Sequence, residues 1–434
     1  MVRANEIKNS NYVGKEVTIR GWVYRIRKQK ENAFILLRDD RGGVIQTIFP
    51  LRSAAHLTLE SSIEVVGIVQ HDNRAPEGNY EIKGKQIKTF NVAENTFPIG
   101  EYQSIELLLD NRHLALRTRR MIEIAKIRNS VLKFARDWFI KNDWMEITPP
   151  TIVKAAVEGG STLFKLKYFD DCANLSQSAQ LYLEAMIFCL GPVWSLTSSF
   201  RAERSRTIRH LAEFSHLEAE APWIALDDIL KIEENLISYI VQNTINERSD
   251  SFTFLNIDIH DLKAIQVPFK RLTYEDAIQA LRSKQIEITQ PEGQKRTIQM
   301  GDDLNIDAER ELTKYASEPV FITGYPIEVK PFYVKEDSNH KGRALAADLL
   351  APGGFGEISS GGEREDDINL IKTKIQKEGL NPDAYSWYLD LRRYGSVPHG
   401  GFGLGIERLV RWLVNSEDIK DTVLFPRTMS RVAP

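Results

Sequence analysis

Arg201 and Glu203 stand two residues apart, and Phe214, His216, Glu218 and Glu220 repeat that interval. Side chains alternate along a strand, so each set projects from one face. Arginine is a forked donor to phosphate, a phenylalanine ring offers a flat surface to a base, and glutamate accepts from an exocyclic amine. A hairpin over residues 199–220 with these groups on one face suits ATP. The same pattern also describes a solvated sheet edge, where charged side chains are common. Between the two arms, residues 204–209 hold three arginines with Ser205 and Thr207, which reads as a mobile basic tip.

Other groups lie farther along. Asp348 and Glu357 suit a hard cation, because magnesium takes oxygen ligands and usually one or two carboxylates plus phosphates; as loop residues beside glycines they are also unremarkable. Arg364 sits among acids and pairs with one of them on the simplest reading. Glycines at 400, 401, 403 and 405 let a backbone approach closely and lead into a helix with Ile406, Leu409, Val410 and Leu413 inward, so Arg408 emerges opposite as a phosphate clamp. After Gly401 and Gly403 a dinucleotide fingerprint needs glycine at 406, which is isoleucine, and no GxxxxGK[ST] loop occurs. Both common nucleotide folds are disfavoured.

The elements that must position these groups follow from periodicity. Strands are expected at 16–24, 33–37, 44–48, 62–69 and 80–90, a small barrel of the oligonucleotide-binding kind. On such a barrel Phe34 is a stacking surface or a core residue, and Gln46 a hydrogen-bonding contact to a base. Residues 96–115 connect it to a helix at 121–141 with Ile124, Ile127, Val131, Phe134, Ala135 and Trp138 on one stripe. Residues 144–150 turn extended before two prolines. A glycine turn carries Glu158, helices are expected at 181–190, 226–245 and 274–282, and residues 246–330 show no chemistry.

Composition bounds the rest. The chain has 434 residues, 42% hydrophobic and 27% charged, with a net charge of −3. That is an ordinary soluble composition, long enough for two or three domains. No 18-residue apolar run or signal segment occurs, so no membrane partner and a cytoplasmic location are expected. Cys172 and Cys189 read as free thiols, too few for a disulfide framework. Arg3, Lys8, Lys15, Arg20, Arg25, Arg27, Lys28 and Lys30 against Glu6 and Glu16 make the N-terminal end basic.

Taken together, residues 144–150, Phe200-Arg-Ala-Glu203 through Phe214, and Gly401 to Arg408 resemble the three signature motifs of class II aminoacyl-tRNA synthetases. The resemblance runs to Leu424-Phe-Pro-Arg427 and lies within the aspartyl, asparaginyl and lysyl subgroup, most like its asparaginyl members of archaeal and eukaryotic type. Arg392-Arg-Tyr-Gly-Ser-Val-Pro-His-Gly-Gly401 and Arg209-His-Leu-Ala-Glu-Phe214 carry that closeness. It implies an α+β chain: a five-stranded OB-fold anticodon domain over 1–95, a hinge over 96–115, and a catalytic domain over 116–434 with an insertion around 246–330. The catalytic sheet would be antiparallel, six-stranded and flanked by helices, in a homodimer.

The resemblance also implies roles. Arg201 would bind the ATP α-phosphate, Glu203 the adenine amine, Phe214 the adenine face, and Arg408 the γ-phosphate, with His210 and Gly405 also at the nucleotide. Arg201, Glu357 and Arg408 would be catalytic, and Asp348, Glu357 and Ser360 would hold Mg2+. Glu158 and Gln180 would meet the α-amino end of the amino acid, and Arg364 its side-chain carbonyl. Arg25, Phe34, Gln46 and Glu81 would bind the anticodon. Aspartyl enzymes resemble Gln-Leu-Tyr-Lys-Gln where this chain has Gln180-Leu-Tyr-Leu-Glu184. Leu183 removes a cation, and Glu184 would accept from an amide nitrogen while repelling a carboxylate. The implied substrates are L-asparagine, ATP and tRNA(Asn); the rival is an aspartyl enzyme, including one that charges both tRNAs.

Overall fold

The computed structural model describes residues 1–434 except 9, 77, 101–102, 158–161, 205–206 and 290–294. Contacts divide the chain into two compact units, Met1–Ile122 with Pro434, and Glu123–Ala433.

In the first unit β1 (Glu16–Lys28), β2 (Asn32–Arg38), β3 (Val44–Pro50), β4 (Ser62–His71) and β5 (Tyr80–Asn91) close a barrel in the order β1-β2-β3-β5-β4. All five expected strands are present. Alternation builds the interior: Val17, Ile19, Ala33, Ile35, Leu37, Ile63 and Val65 bury themselves in one cluster. Phe34, between buried Ala33 and Ile35, therefore faces outward rather than into the core.

The second unit is built on one mixed sheet. Its strands are β6 (Met145–Glu146), β7 (Val193–Phe200), β8 (Glu213–Pro222), β9 (Lys270–Thr273), β10 (Val320–Thr323), β11 (Ala346–Ala351), β12 (Gly356–Glu363) and β13 (His399–Gly405), in the order β9-β10-β11-β12-β13-β8-β7-β6. The inner six, β10 to β7, pair antiparallel throughout, as expected. Each edge adds one parallel strand, β6 on β7 and β9 on β10. A parallel neighbour needs a crossover connection. Residues 274–319, in the stretch without legible chemistry, supply one of them.

Helices cover the sheet: α1 (Arg119–Lys141), α2 (Gln180–Leu190), α3 (Leu226–Glu247), α4 (Ile306–Thr313), α5 (Ser386–Arg393) and α6 (Ile406–Leu413). The apolar stripe of α1, from Ile124 to Trp138, is buried throughout. Cys172 and Cys189 are free and exposed.

Helix α3 buries more than its apolar stripe. Glu233 is completely buried, and neither carboxyl oxygen meets a well-formed hydrogen-bond partner among the described residues. Burial pushes its carboxyl up to about 8, which the nearby Ser359 hydroxyl offsets only in part. A carboxyl raised on folding holds its proton longer in the native state, so its penalty is absent below the unfolded value and grows as pH rises towards 8. Glu233→Gln should therefore stabilise the protein by on the order of 3 kcal/mol at pH 7.5 and by little at pH 5. Thermal melting of both proteins at the two pH values checks this; an equal shift at both would reject a buried neutral carboxyl.

Candidate active site

Strand β13 lies between β8 and β12. Its register sets Gly403 opposite Glu218 on one side and Ser360 on the other, and Gly401 opposite Glu220. Asp348 on β11 stands opposite Ser360, so one row crosses four strands. A Cβ at Gly403 would come 2.5 Å from His216 Nε2, and one at Gly401 would come 2.5 Å from Glu220 Cδ. The glycines leave room for the side chains of β8 to lean across the floor of a cavity of ≈ 410 Å³.

At one end of this cavity the cations gather. The Arg201 guanidinium lies 5.4 Å from the Phe214 ring centre. His210 Nε2 is 3.3 Å from Glu203 Oε2. Burial lowers the His210 ring against the pull of Glu203, and Arg408, Arg209 and Arg201 lower it further. Arg408 Nη1 donates to Glu357 Oε1 at 2.7 Å. Arg411, just behind on α6, is pushed down to about 10 by burial and by Arg209 and Arg408 beside it. A cavity end lined by Arg201, Arg209 and Arg408 is suited to a polyanion such as a triphosphate. Arg209, expected in a mobile tip, is instead buried and paired with Glu309 at 2.7 Å.

At the other end the groups suit an amino acid. Arg364 Nε donates to Glu220 Oε1 at 3.1 Å, both residues being buried on the cavity floor. Burial raises the Glu220 carboxyl to about 7, against the pull of Arg364 and with a push from Glu184. Burial opposes the Arg364 charge, but Glu220 more than restores it. Glu218 is buried beside them, accepting from the Ala179 N–H at 2.8 Å and from the Ser178 hydroxyl. Burial raises its carboxyl as well.

Gln180 lines the cavity and donates Nε2 to Glu184 Oε1 at 3.0 Å, which leaves its carbonyl oxygen for a cationic donor. Glu184 itself is a correction. It is fully buried and does not line the cavity, because its oxygens are taken by Gln180, by Tyr388 OH at 2.7 Å, by Arg392 Nη2 at 2.6 Å and by His399 Nε2 at 3.1 Å. Burial would raise this carboxyl, yet Arg392 and His399 hold it well below the usual range. Leu183 packs into a core cluster with Ile187 and Val193. The Glu220–Arg364 pair therefore lines the cavity, and Leu183 and Glu184 do not.

The residues expected at a metal lie together in part. Ser360 donates to Asp348 Oδ1 at 2.6 Å, and Lys330 Nζ approaches Asp348 Oδ2 to 2.7 Å. Glu357 is held by Arg408. No three His, Cys, Asp or Glu side chains cluster as a self-sufficient metal site among the described residues. Two carboxylates and a hydroxyl nonetheless fit magnesium, which needs few protein ligands when phosphates supply the rest.

Cavity-lining residues thus include Gln180, Arg201, Glu203, His210, Phe214, Asp348, Glu357, Ser360, Arg364, Gly405 and Arg408. Glu158 lies outside the described residues. Sequence reasoning missed the roles of Glu220, Glu309 and Lys330. The period-2 pattern did place Glu220 on the right face, but nothing local marks a partner 144 residues away.

In the barrel unit, Arg25, Phe34, Gln46 and Glu81 line a separate cavity of ≈ 1020 Å³. Arg27 lies 5.0 Å over the Phe34 ring. Gln46 Nε2 donates to Glu81 Oε2 at 2.7 Å, leaving the Gln46 carbonyl for a base edge.

Residues 104–429 match the family described as tRNA synthetases class II (D, K and N), and residues 17–90 match the OB-fold nucleic acid binding domain. The asparagine–tRNA ligase of Pyrococcus furiosus is 48% identical over 432 residues, 97% of this chain and 96% of that protein. The crystal structure of asparaginyl-tRNA synthetase from Pyrococcus horikoshii complexed with asparaginyl-adenylate is 46% identical, with a TM-score of 0.93, covering 100% of this chain and 99% of that one. The Entamoeba histolytica asparaginyl-tRNA synthetase, also with asparaginyl-adenylate, is 36% identical with a TM-score of 0.89 over 100% of this chain and 99% of that one. With three quarters of its length under one family model and near-complete coverage by these relatives, the chain belongs to the class II aminoacyl-tRNA synthetases of the aspartyl, lysyl and asparaginyl subgroup.

Proposed function

We propose that the chain activates L-asparagine with ATP to asparaginyl-adenylate and transfers the asparaginyl group to tRNA(Asn). The observation that carries this reading is the buried Arg364–Glu220 pair. Arg364 donates to the amide oxygen of the substrate and Glu220 accepts from its amide nitrogen. Arg364 alone would welcome a carboxylate, but Glu220 cancels that charge and repels one. Mispaired buried polar groups are costly, so such a site rejects aspartate strongly. Gln180 and Glu218 face the α-ammonium, and the family resemblance assigns the same role to Glu158.

The asparagine carboxylate attacks the α-phosphorus in line, and the bond to pyrophosphate breaks. Arg201 offsets charge on the pentacoordinate phosphorus, Arg408 meets the departing end, Glu203 accepts from the adenine amine, and Phe214 stacks on the base. His210 and Gly405 complete the nucleotide contact. Positioning and fixed charge do the catalysis. Asp348, Glu357 and Ser360 would hold Mg2+, which supplies further neutralisation of the phosphates. A ribose hydroxyl of the tRNA terminus then attacks the adenylate carbonyl and AMP leaves. ATP–pyrophosphate exchange with asparagine beside aspartate tests the reading; exchange with aspartate alone overturns it.

Residues 1–95 serve as the anticodon-binding domain, with Arg25, Gln46 and Glu81 around Phe34. A base stacked on an aromatic ring is worth about 1–3 kcal/mol. Phe34→Ala should therefore lower kcat/KM for tRNA charging roughly five- to hundredfold and leave exchange unchanged. An equal loss in both assays would remove the barrel face from tRNA binding.

The protein acts in the cytoplasm as a homodimer. Among the described residues no helix is long and apolar enough to cross a membrane. Exposed Ile140, Met145 and Ile152, near edge strand β6, support pairing with a second copy.

A further inference from the structure

Residues 246–330 carry no chemistry legible in the sequence, yet Glu309 of α4 reaches the cavity. Its carboxylate is nearly fully buried. One oxygen, Oε2, accepts from Arg209 Nη1 at 2.7 Å and from the Glu357 backbone N–H at 2.8 Å. Arg209 Nη2 closes the ring by donating to the Glu357 carbonyl at 3.3 Å. The same carbonyl lies 3.3 Å from Arg408 Nη1. Gly356 is shaped to this junction. Its φ of +74° favours glycine, and a Cβ there would come 2.6 Å from Glu309 Oε2 and 2.7 Å from Arg209 Nη1.

We propose that Glu309 is a positioning residue for the nucleotide: it locks Arg209 to the backbone of Glu357, and so fixes the Glu357 and Arg408 side chains where the triphosphate binds. The geometry favours this over a general stabilising pair, because both bonds converge on one oxygen and both partners abut the same cation cluster. Among the described residues Glu309 bonds to Arg209 and to the Glu357 backbone and to none of Arg364, Glu220 and Gln180, so its effect falls on the ATP end. This inference rests on the proposed reaction for its assay, though not for its geometry.

The test is ATP–pyrophosphate exchange in the full chain with Glu309→Gln, Glu309→Asp and Arg209→Gln, each first checked by thermal melting. The glutamine carbonyl can accept both bonds, so Glu309→Gln should keep KM for ATP within about twofold of wild type. Aspartate is one methylene shorter and cannot span both donors. Because small misplacements of reacting groups are costly, Glu309→Asp should raise KM for ATP about tenfold or more with KM for asparagine within about twofold. Arg209→Gln breaks the ring from the other side and should do the same, which keeps the proposal testable should Glu309→Asp fail to fold. Unchanged ATP parameters in folded Glu309→Asp and Arg209→Gln, or equal rises in both KM values, would overturn it. Wild-type protein silent with asparagine would instead overturn the proposed reaction, and direct ATP binding to the same variants would still decide the role of Glu309.

Discussion

Arg201→Ala should cut asparagine-dependent ATP–pyrophosphate exchange by about 10²–10³-fold, the cost typical of losing one preorganised donor aimed at transition-state charge. The loss should appear in kcat more than in KM for asparagine, because the guanidinium acts on charge that develops at phosphorus rather than on bound amino acid. Arg201 follows directly on the end of β7, lines the cavity and stands over the Phe214 ring. Arg408→Ala should behave likewise, with an added rise in KM for ATP, since it also releases Glu357. Exchange within threefold of wild type in the Arg201 variant would remove it from the chemistry.

The second large effect concerns choice of amino acid. Glu220→Gln keeps the size of the side chain but removes the charge that opposes an incoming carboxylate. At an effective dielectric near 20, two like charges about 4 Å apart repel by about 4 kcal/mol. The kcat/KM ratio for asparagine over aspartate should therefore fall about 10²–10³-fold, and an unchanged ratio would return the choice to another residue. The wild-type ratio should also depend on pH. Burial holds the Glu220 carboxyl near 7, against Arg364 and with Glu184 adding repulsion. Below that value Glu220 is increasingly neutral and tolerates aspartate; above it the carboxylate is present and excludes it. Preference for asparagine should thus grow between pH 6 and 8 in the wild type and stay flat in Glu220→Gln.

The legible part of the molecule is the part written in short-range order. Alternation of apolar residues marked all five barrel strands, and a stripe at helical spacing marked α1. The same interval of two put Phe214 to Glu220 on one face of β8, whereas β7 ends at Phe200, so Arg201 and Glu203 lie beyond the strand and reach the cavity without its alternation. The illegible part consists of partners chosen by folding. Glu184 reads as a helix residue able to face a ligand, and only the arrival of Arg392 and His399 from more than 200 residues away turns it inward. Glu309 lies in a stretch whose sequence shows no chemistry, and only Arg209 and Glu357 closing on it give it a place at the cavity. Motif resemblance supplied what periodicity could not, namely which distant stretches share one cavity.

Strand β13 occupies the middle of the sheet but comes last in its sequence, after β12 and long after β8. During synthesis β8 and β12 are both made before the glycine strand that joins them, so each must wait with an unpaired edge. The sheet closes at its centre, by contacts of long sequence separation, which form slowly and leave such edges open to wrong partners. Because Gly403 and Gly405 line the cavity and Arg408 follows them directly, the strand that closes the sheet also closes the cavity. A chain that stops short of β13 therefore lacks both the strand that joins the two halves of the sheet and Arg408 at the cavity.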